Sequence, residues 1–237
     1  MPKQDAPLQT ENPVATDALD EPTGSLDLSV LVPLYQEQDN VAMLVSRLFD
    51  VLPKLGLRFE VIAVDDGSRD KTLANLQAEA ANHPELKVIS LRRNYGQTAA
   101  MMAGIDHASG ECIITIDADL QNDPEDIPVL LEKMKEGYDV VSGWRQNRKD
   151  AAIRRTMISR VANRVISWAS GVTLKDYGCT LKAYRAEIIK GVRLYGEMHR
   201  FIPIYASWMG ARITEIPVRH HPRRFGASKY GLERIGK

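Results

Sequence analysis

The chain has 237 residues, 44% hydrophobic and 26% charged, with 31 Lys plus Arg against 31 Asp plus Glu and a formal net charge of zero. That length and balance describe a globular chain able to bury a sizeable core, and the neutral total gives no general reason to expect nucleic acid as a partner. Two cysteines, Cys112 and Cys179, are too few for a disulfide framework or a zinc site of their own, and no apolar run approaches the roughly 18–20 residues needed to cross a bilayer.

Residues 1–25 are rich in Pro, Asp, Glu, Thr and Gln, with few large apolar groups. Such a segment cannot bury enough surface to offset its chain entropy, so a disordered tail is expected there. It lacks the basic and apolar regions of a signal peptide, which points to a soluble piece in a reducing cytoplasm. From Leu28 the pattern changes. Leu28–Leu34 reads as a buried strand, and residues 39–52 place Val41, Leu44, Val45, Leu48 and Leu52 at helical spacing. Phe59–Val64 reads as a second strand, followed by a helix near 70–81. A third strand is expected at Lys87–Leu91, a helix over 97–108 and a fourth strand at Glu111–Ile116. A helix near 125–135 and a strand at Tyr138–Ser142 follow. Beyond residue 143 the spacing predicts a helix over 151–170, one or two helices within 183–209 and a late strand at Ala211–Val218.

Strand–helix alternation with near-continuous apolar strands predicts an α/β fold, a mostly parallel, Rossmann-like sheet with helices on both faces. Ligands of such sheets bind beyond the carboxyl ends of the strands. Pro33–Glu37, Asp65–Ser68 and Asp117–Gln121 all follow strand ends, so three acidic loops should meet on one rim. Asp117 and Asp119, one residue apart, can both reach a hard cation such as Mg²⁺ or Mn²⁺, and the amide oxygen of Gln121 can supply a third ligand. The competing reading is helix capping before Pro124, although Asn122-Asp123-Pro124-Glu125 offers caps of its own. Asp65 and Asp66 can accept hydrogen bonds from a base imide or ribose hydroxyls, or can simply form a turn. In the first loop Pro33 ends the strand, Tyr35 can lie against a base and Glu37 can bind hydroxyls; an acidic first helical turn is the plain alternative. Downstream, residues 145–164 carry seven Lys or Arg against Asp150 alone, either a solvated helix face or a phosphate-binding surface.

Taken together, Pro33-x-Tyr35-x-Glu37, Val64-Asp-Asp-Gly-Ser68 and Asp117-Ala-Asp119 resemble the family 2 glycosyltransferases of the GT-A fold, over about residues 28–230. Asp117–Gln121 with Asp123-Pro-Glu125, Ser142–Arg145, Arg155 with Ile158–Arg160, Tyr184-Arg185 and Arg223 with Gly226-x-Ser228-Lys229 are similar to the polyprenyl-phosphate sugar transferases, the dolichol-phosphate mannose synthase group. The resemblance implies a transferase domain over 26–230, with metal ligands Asp117, Asp119 and Gln121. It implies nucleotide contacts at Pro33, Tyr35, Glu37, Asp65, Asp66 and Asp117, and phosphate contacts at Arg145, Arg155, Ser159, Arg223 and Lys229. Asp119 and Asp176 are the catalytic candidates, Asp176 as a base. Some relatives place an acid where this chain has Thr180, ahead of Leu181-Lys182; a phosphate acceptor is already an anion and needs no base.

The implied reaction is inverting transfer from a UDP- or GDP-sugar to a polyprenyl phosphate, with Mg²⁺ or Mn²⁺ as cofactor, at the cytoplasmic face of a membrane. Two alternatives stay open: transfer to a saccharide hydroxyl, and a non-catalytic nucleotide-binding scaffold. A homo-oligomer stays open too. Gly231–Ile235 reads as the start of a membrane-proximal helix that has been cut short.

Overall fold

The structure is a computed structural model and describes residues 26–146, 166–168 and 170–224. In chain order its elements are β1 (Leu26–Leu34), α1 (Val41–Val51), β2 (Phe59–Asp65), α2 (Thr72–Ala80), β3 (Leu86–Ser90), α3 (Gln97–His107), β4 (Gly110–Thr115), α4 (Ile127–Lys135), β5 (Val140–Arg145), β6 (Lys182–Arg185), α5 (Ala186–Ile189), α6 (Ile202–Trp208) and β7 (Ile213–Val218).

Successive side chains of a strand point to opposite faces, and here both faces are covered. Val30 and Val32 of β1 and Val61 and Ala63 of β2 pack into one apolar core with Leu44, Val45 and Leu48 of α1 and Leu130 of α4. Leu31, Ile62 and Val64 point the other way, into a second core with Ala100, Met101 and Ile105 of α3 and Ile202 of α6. A strand buried on both sides carries no polar alternation, which is why these segments read as continuous apolar runs. α3 lies especially close to β1: a Cβ on Gly104 would fall 1.9 Å from Leu31 Cδ1.

Among the described residues one sheet of seven strands forms in the order β3-β2-β1-β4-β6-β5-β7. The β1–β2, β2–β3, β1–β4 and β5–β7 pairings are parallel, whereas β6 runs antiparallel to both neighbours. The expected mostly parallel α/β sheet is therefore the one observed. Its one departure is β6, which occupies the start of the stretch read as helical over 183–209. The strand has only four residues, Lys182-Ala-Tyr-Arg185, too few to display a period of two, and it runs straight into α5. Residues 166–168 are helical; most of the helix expected over 151–170, the tail 1–25 and residues 225–237 lie outside the described residues. No helix among the described residues is long and apolar enough to cross a membrane.

Candidate active site

The strand order creates the site. β1 is flanked by β2 on one side and β4 on the other, so the strand order reverses between them and a crevice lies at their carboxyl rim. The β1–β4 register ends at Leu31 opposite Thr115, with one further bond from the Ile116 amide to the Leu31 carbonyl (3.0 Å). Pro33 lies beyond that point, where its missing N–H removes no bond to β4. Both loops then pass through a left-handed residue, Gln36 (φ 52°) and Leu120 (φ 62°). Non-glycine residues seldom adopt this conformation. At Leu120 the turn keeps the leucine side chain in the core, 3% exposed, directly beside Asp119.

A cavity of about 220 Å³ fills the crevice. Of the candidates read from sequence, Pro33, Tyr35, Glu37, Asp66, Asp117, Asp119 and Arg223 line it together. Asp117 Oδ1 accepts a hydrogen bond from Gln97 Nε2 (2.8 Å), and Oδ2 accepts one from Thr180 Oγ1 (2.6 Å). Asp119 Oδ1 accepts from the Gln121 amide (3.1 Å), and its Oδ2 meets Arg223 Nη2 at 2.7 Å. Burial raises the Asp117 carboxyl above its ordinary range. Burial, followed by the neighbouring Asp117 charge, pushes Asp119 up to about 6. Two recessed carboxylates that repel each other, with a guanidinium drawn onto one of them, are a ready seat for positive charge. The donor set is all oxygen, which suits Mg²⁺ or Mn²⁺. Among the described residues no three His, Cys, Asp or Glu side chains converge on one point. A cation there would take two protein carboxylates and complete its shell with phosphate and water oxygens, a usual arrangement for Mg²⁺.

Other candidates take different places. Asp65 is buried behind the rim and accepts from the Ser68 amide (3.2 Å), so it shapes the turn and does not line the cavity. Gln121 is also outside the lining: its Nε2 faces the His221 carbonyl at 3.4 Å. Asp176 forms a two-point ion pair with Arg145, Oδ2 to Nε at 2.7 Å and Oδ1 to Nη2 at 3.0 Å. Burial opposes the Arg145 charge, but Asp176 outweighs it and holds the guanidinium firmly protonated. An aspartate tied on both oxygens to a buried arginine is poorly suited to take a proton, so this geometry speaks against the base role expected for Asp176. Arg155, Ser159 and Lys229 lie outside the described residues.

Sequence reading missed the segment between β3 and α3. Asn94, Gly96 and Gln97 all line the cavity. Asp66 holds them there, accepting from Asn94 Nδ2 (2.8 Å) and from the amides of Tyr95 (2.8 Å) and Gly96 (2.9 Å). The available signal was Asn94-Tyr-Gly96 directly ahead of a helix and after a strand, a turn signature at the same rim. Asp123 caps the helical turn after it, accepting from the Glu125 amide (3.1 Å), which leaves Asp117 and Asp119 free of that duty. Burial alone would raise the Asp123 carboxyl, but His221, the Glu125 amide, Arg47 and Arg219 together hold it below the usual range. His221 reaches Asp123 at 2.7 Å while its amide donates to the Gln121 carbonyl (2.8 Å), so the segment bearing Arg223 is laced to the loop bearing Asp119.

A GT-A sheet with an acidic crevice at its switch point defines the class of protein, and solved structures of that fold superpose on this one. Glucosyl-3-phosphoglycerate synthase from Mycobacterium tuberculosis, in complex with Mn²⁺, UDP and phosphoglyceric acid, matches with a TM-score of 0.67 at 19% identity, over 89% of this chain and 74% of that one. Mannosyltransferase PcManGT from Pyrobaculum calidifontis, in complex with GDP-Man and Mn²⁺, matches with a TM-score of 0.62 at 21% identity, over 83% of this chain and 56% of that one. Residues 29–193 match the family model "Glycosyl transferase family 2", and the chain belongs to that family. It is 47% identical over 218 residues to a dodecaprenyl-phosphate galacturonate synthase of Rhizobium johnstonii, covering 90% of this chain and 64% of the relative. It is 45% identical over 210 residues to an undecaprenyl-phosphate 4-deoxy-4-formamido-L-arabinose transferase of Edwardsiella ictaluri, covering 88% and 64%. The chain thus spans a little under two thirds of the length of these curated relatives.

Proposed function

We propose that this chain carries out inverting transfer of a sugar from a nucleotide-sugar donor to a polyprenyl phosphate. The observation that carries the reading is the convergence of Tyr35, Glu37, Asp66, Asp117, Asp119 and Arg223 on one crevice. The activities for which the two relatives are named support the acceptor. In this reading Tyr35, Asn94 and Gly96 meet the nucleoside, and Asp117 and Asp119 meet its diphosphate through the cation. A divalent cation, Mg²⁺ or Mn²⁺, held by Asp117 and Asp119, would supply neutralisation of the charge that develops on the departing diphosphate.

The chain's own groups do the rest. Arg223 pairs with Asp119 at 2.7 Å and is placed to turn from that carboxylate to a phosphate when a stronger cation arrives. Arg145, kept charged by Asp176, offers a fixed positive edge at the end of β5. The acceptor phosphate oxygen attacks C1 on the face opposite the diphosphate; the O–C1 bond forms as the bond to the diphosphate breaks, and configuration inverts. That oxygen is already anionic near neutral pH, with a second pKa near ~6, so no base is required. A site whose candidate base, Asp176, is engaged on both oxygens by Arg145 accords with such an acceptor better than with a sugar hydroxyl. A lipid acceptor brings the chain to a membrane surface.

The test is a donor panel: labelled UDP- and GDP-sugars with a short polyprenyl phosphate, with saccharide acceptors, and with neither. Label passing to the organic phase only with polyprenyl phosphate is the expected result. Label passing to a saccharide overturns the acceptor assignment. Metal-dependent donor binding without turnover in any arm identifies a nucleotide-binding scaffold.

A further inference from the structure

The loop between residues 176 and 181 is tied down at almost every peptide, and the ties lead to Asp117. Lys182, 2% exposed, extends Nζ back to the carbonyls of Tyr177 (3.2 Å) and Cys179. The Thr180 carbonyl accepts from Thr115 Oγ1 (2.6 Å), and the Leu181 carbonyl accepts from the Gly143 amide (2.9 Å). Asp176 at the start of the loop is locked to Arg145 and accepts from the Gly178 amide (3.1 Å). A lysine buried inside a sheet has lost its water, a cost that two carbonyl acceptors offset only in part.

The loop presents one side chain to the site. Thr180 Oγ1 donates to Asp117 Oδ2 (2.6 Å) and accepts from Asn122 Nδ2 (3.1 Å). A hydroxyl has one proton, so this arrangement has a fixed direction: the Asn122 amide polarises the hydroxyl, which donates to the carboxylate. On the other oxygen Gln97 Nε2 completes the grip at 2.8 Å. Asp117 is thereby held in one orientation by two donors, Gln97 and Thr180, from distant parts of the chain. A carboxylate offers about four lone-pair sites, so two oxygens with one donor each still have lone pairs for a cation.

We propose that Thr180 is a positioning residue for the cation site, acting through Asp117, and that buried Lys182 holds the loop that delivers it. The inference rests on the reading of Asp117 and Asp119 as the cation seat. Neither Thr180 nor Lys182 touches the cavity in the way Asp117 does; they set the direction in which its lone pairs point. Partners behind metal ligands commonly affect metal affinity by about 10–100-fold.

The experiment is Mn²⁺ titration followed by the electron paramagnetic resonance signal of free Mn²⁺, with UDP, with GDP and with no nucleotide, alongside thermal unfolding of each metal-free variant. Thr180→Val, of nearly the same shape, is expected to weaken Mn²⁺ binding about 10-fold. Its metal-free melting temperature should stay close to wild type. Thr180→Ser, which restores the hydroxyl, should recover most of the affinity; a purely packing role for the threonine would predict the reverse order. Lys182→Met should weaken Mn²⁺ binding at least as much as Thr180→Val, and if it fails to fold the Thr180 pair decides the matter. Mn²⁺ binding by Thr180→Val within twofold of wild type overturns the inference while leaving the cation site standing. Wild-type protein that binds no Mn²⁺ in any arm, or Asp119→Asn that binds it as wild type does, overturns the cation reading and this inference with it.

Discussion

Asp119 and Asp66 are both acidic and both line the crevice, yet they do opposite things. Asp119 carries a charge raised towards protonation by burial and by Asp117, so a cation relieves it. Replacing it by Asn keeps the shape and removes the charge; turnover with saturating Mn²⁺ and donor should fall by about 10²-fold or more, the range seen when one charge-stabilising group leaves a site. Metal-dependent turnover at the wild-type rate would sink the assignment. Asp66 instead spends its carboxylate on Asn94, Tyr95 and Gly96. Asp66→Asn leaves one oxygen to serve three donors and turns an NH₂ towards them. We expect a loss of about 2 kcal/mol in denaturant unfolding, typical of bonds to a buried charged group, and a raised KM for donor because Asn94 and Gly96 line the cavity. Unchanged stability together with unchanged KM would refute this role. Both aspartates stood out in the sequence as ligand candidates. Nothing local could separate them, because the partners of Asp66 lie 28–30 residues away.

At the scale of elements, the turn after β2 and the segment before α3 are packed backbone against backbone. Gly67 has φ 67°, and a Cβ on it would lie 2.3 Å from the Arg93 carbonyl carbon. Gly56 has nearly the same φ, 65°, with nothing within 4 Å. Gly56→Ala should therefore cost only the left-handed conformation, about 1–2 kcal/mol. Gly67→Ala should cost more, and it should also disturb donor binding by displacing residues 93–96. Thermal unfolding of the two variants side by side isolates the clash; equal losses would show that the 93–96 segment simply moves aside. The long elements were legible in the sequence because each buries an extended apolar face: Leu28–Leu34 against both cores, or Leu44, Val45 and Leu48 along one side of α1. β6 was not, since four residues bearing Lys and Arg at the ends look like neither a strand nor a core.

For the whole molecule, acid sensitivity should trace in part to one buried imidazole. His199 is 3% exposed, and its Nδ1 lies 2.7 Å from Thr98 Oγ1, whose own proton goes to the Gly196 carbonyl. The hydroxyl must therefore accept from Nδ1–H, which fixes the tautomer and ties α3 to the turn ahead of α6. Burial, with Arg200 and Lys182 adding to it, lowers the His199 pKa from 6.5 to about 3. The folded value lies below the unfolded one, so as pH falls the unfolded chain takes up the proton first. Above pH 6.5 the group adds no pH dependence; between 6.5 and about 3 it removes stability as pH drops. The limiting slope is about 1.4 kcal/mol per pH unit. His199→Gln should flatten the decline between pH 6.5 and 4 in urea unfolding measured across pH, and a decline unchanged by that substitution would rule His199 out as its source.

Leu28–Leu34, Phe59–Val64 and Glu111–Ile116 by themselves determined a doubly covered, mostly parallel sheet, and with it the rim on which Pro33, Tyr35, Glu37, Asp66, Asp117 and Asp119 meet. Burial on both faces and the position of a loop after a strand are local properties, written as apolar runs ending in acids. Only the tertiary structure decided what each polar group faces. It set Thr180 on Asp117 across 63 residues, Asp176 on Arg145 across 31 and Arg223 on Asp119 across 104. A hydrogen bond or ion pair is made at about 3 Å between groups whose separation along the chain is arbitrary. Its direction leaves no periodic trace, so the crevice could be read from the chain while the hand that holds Asp117 could not.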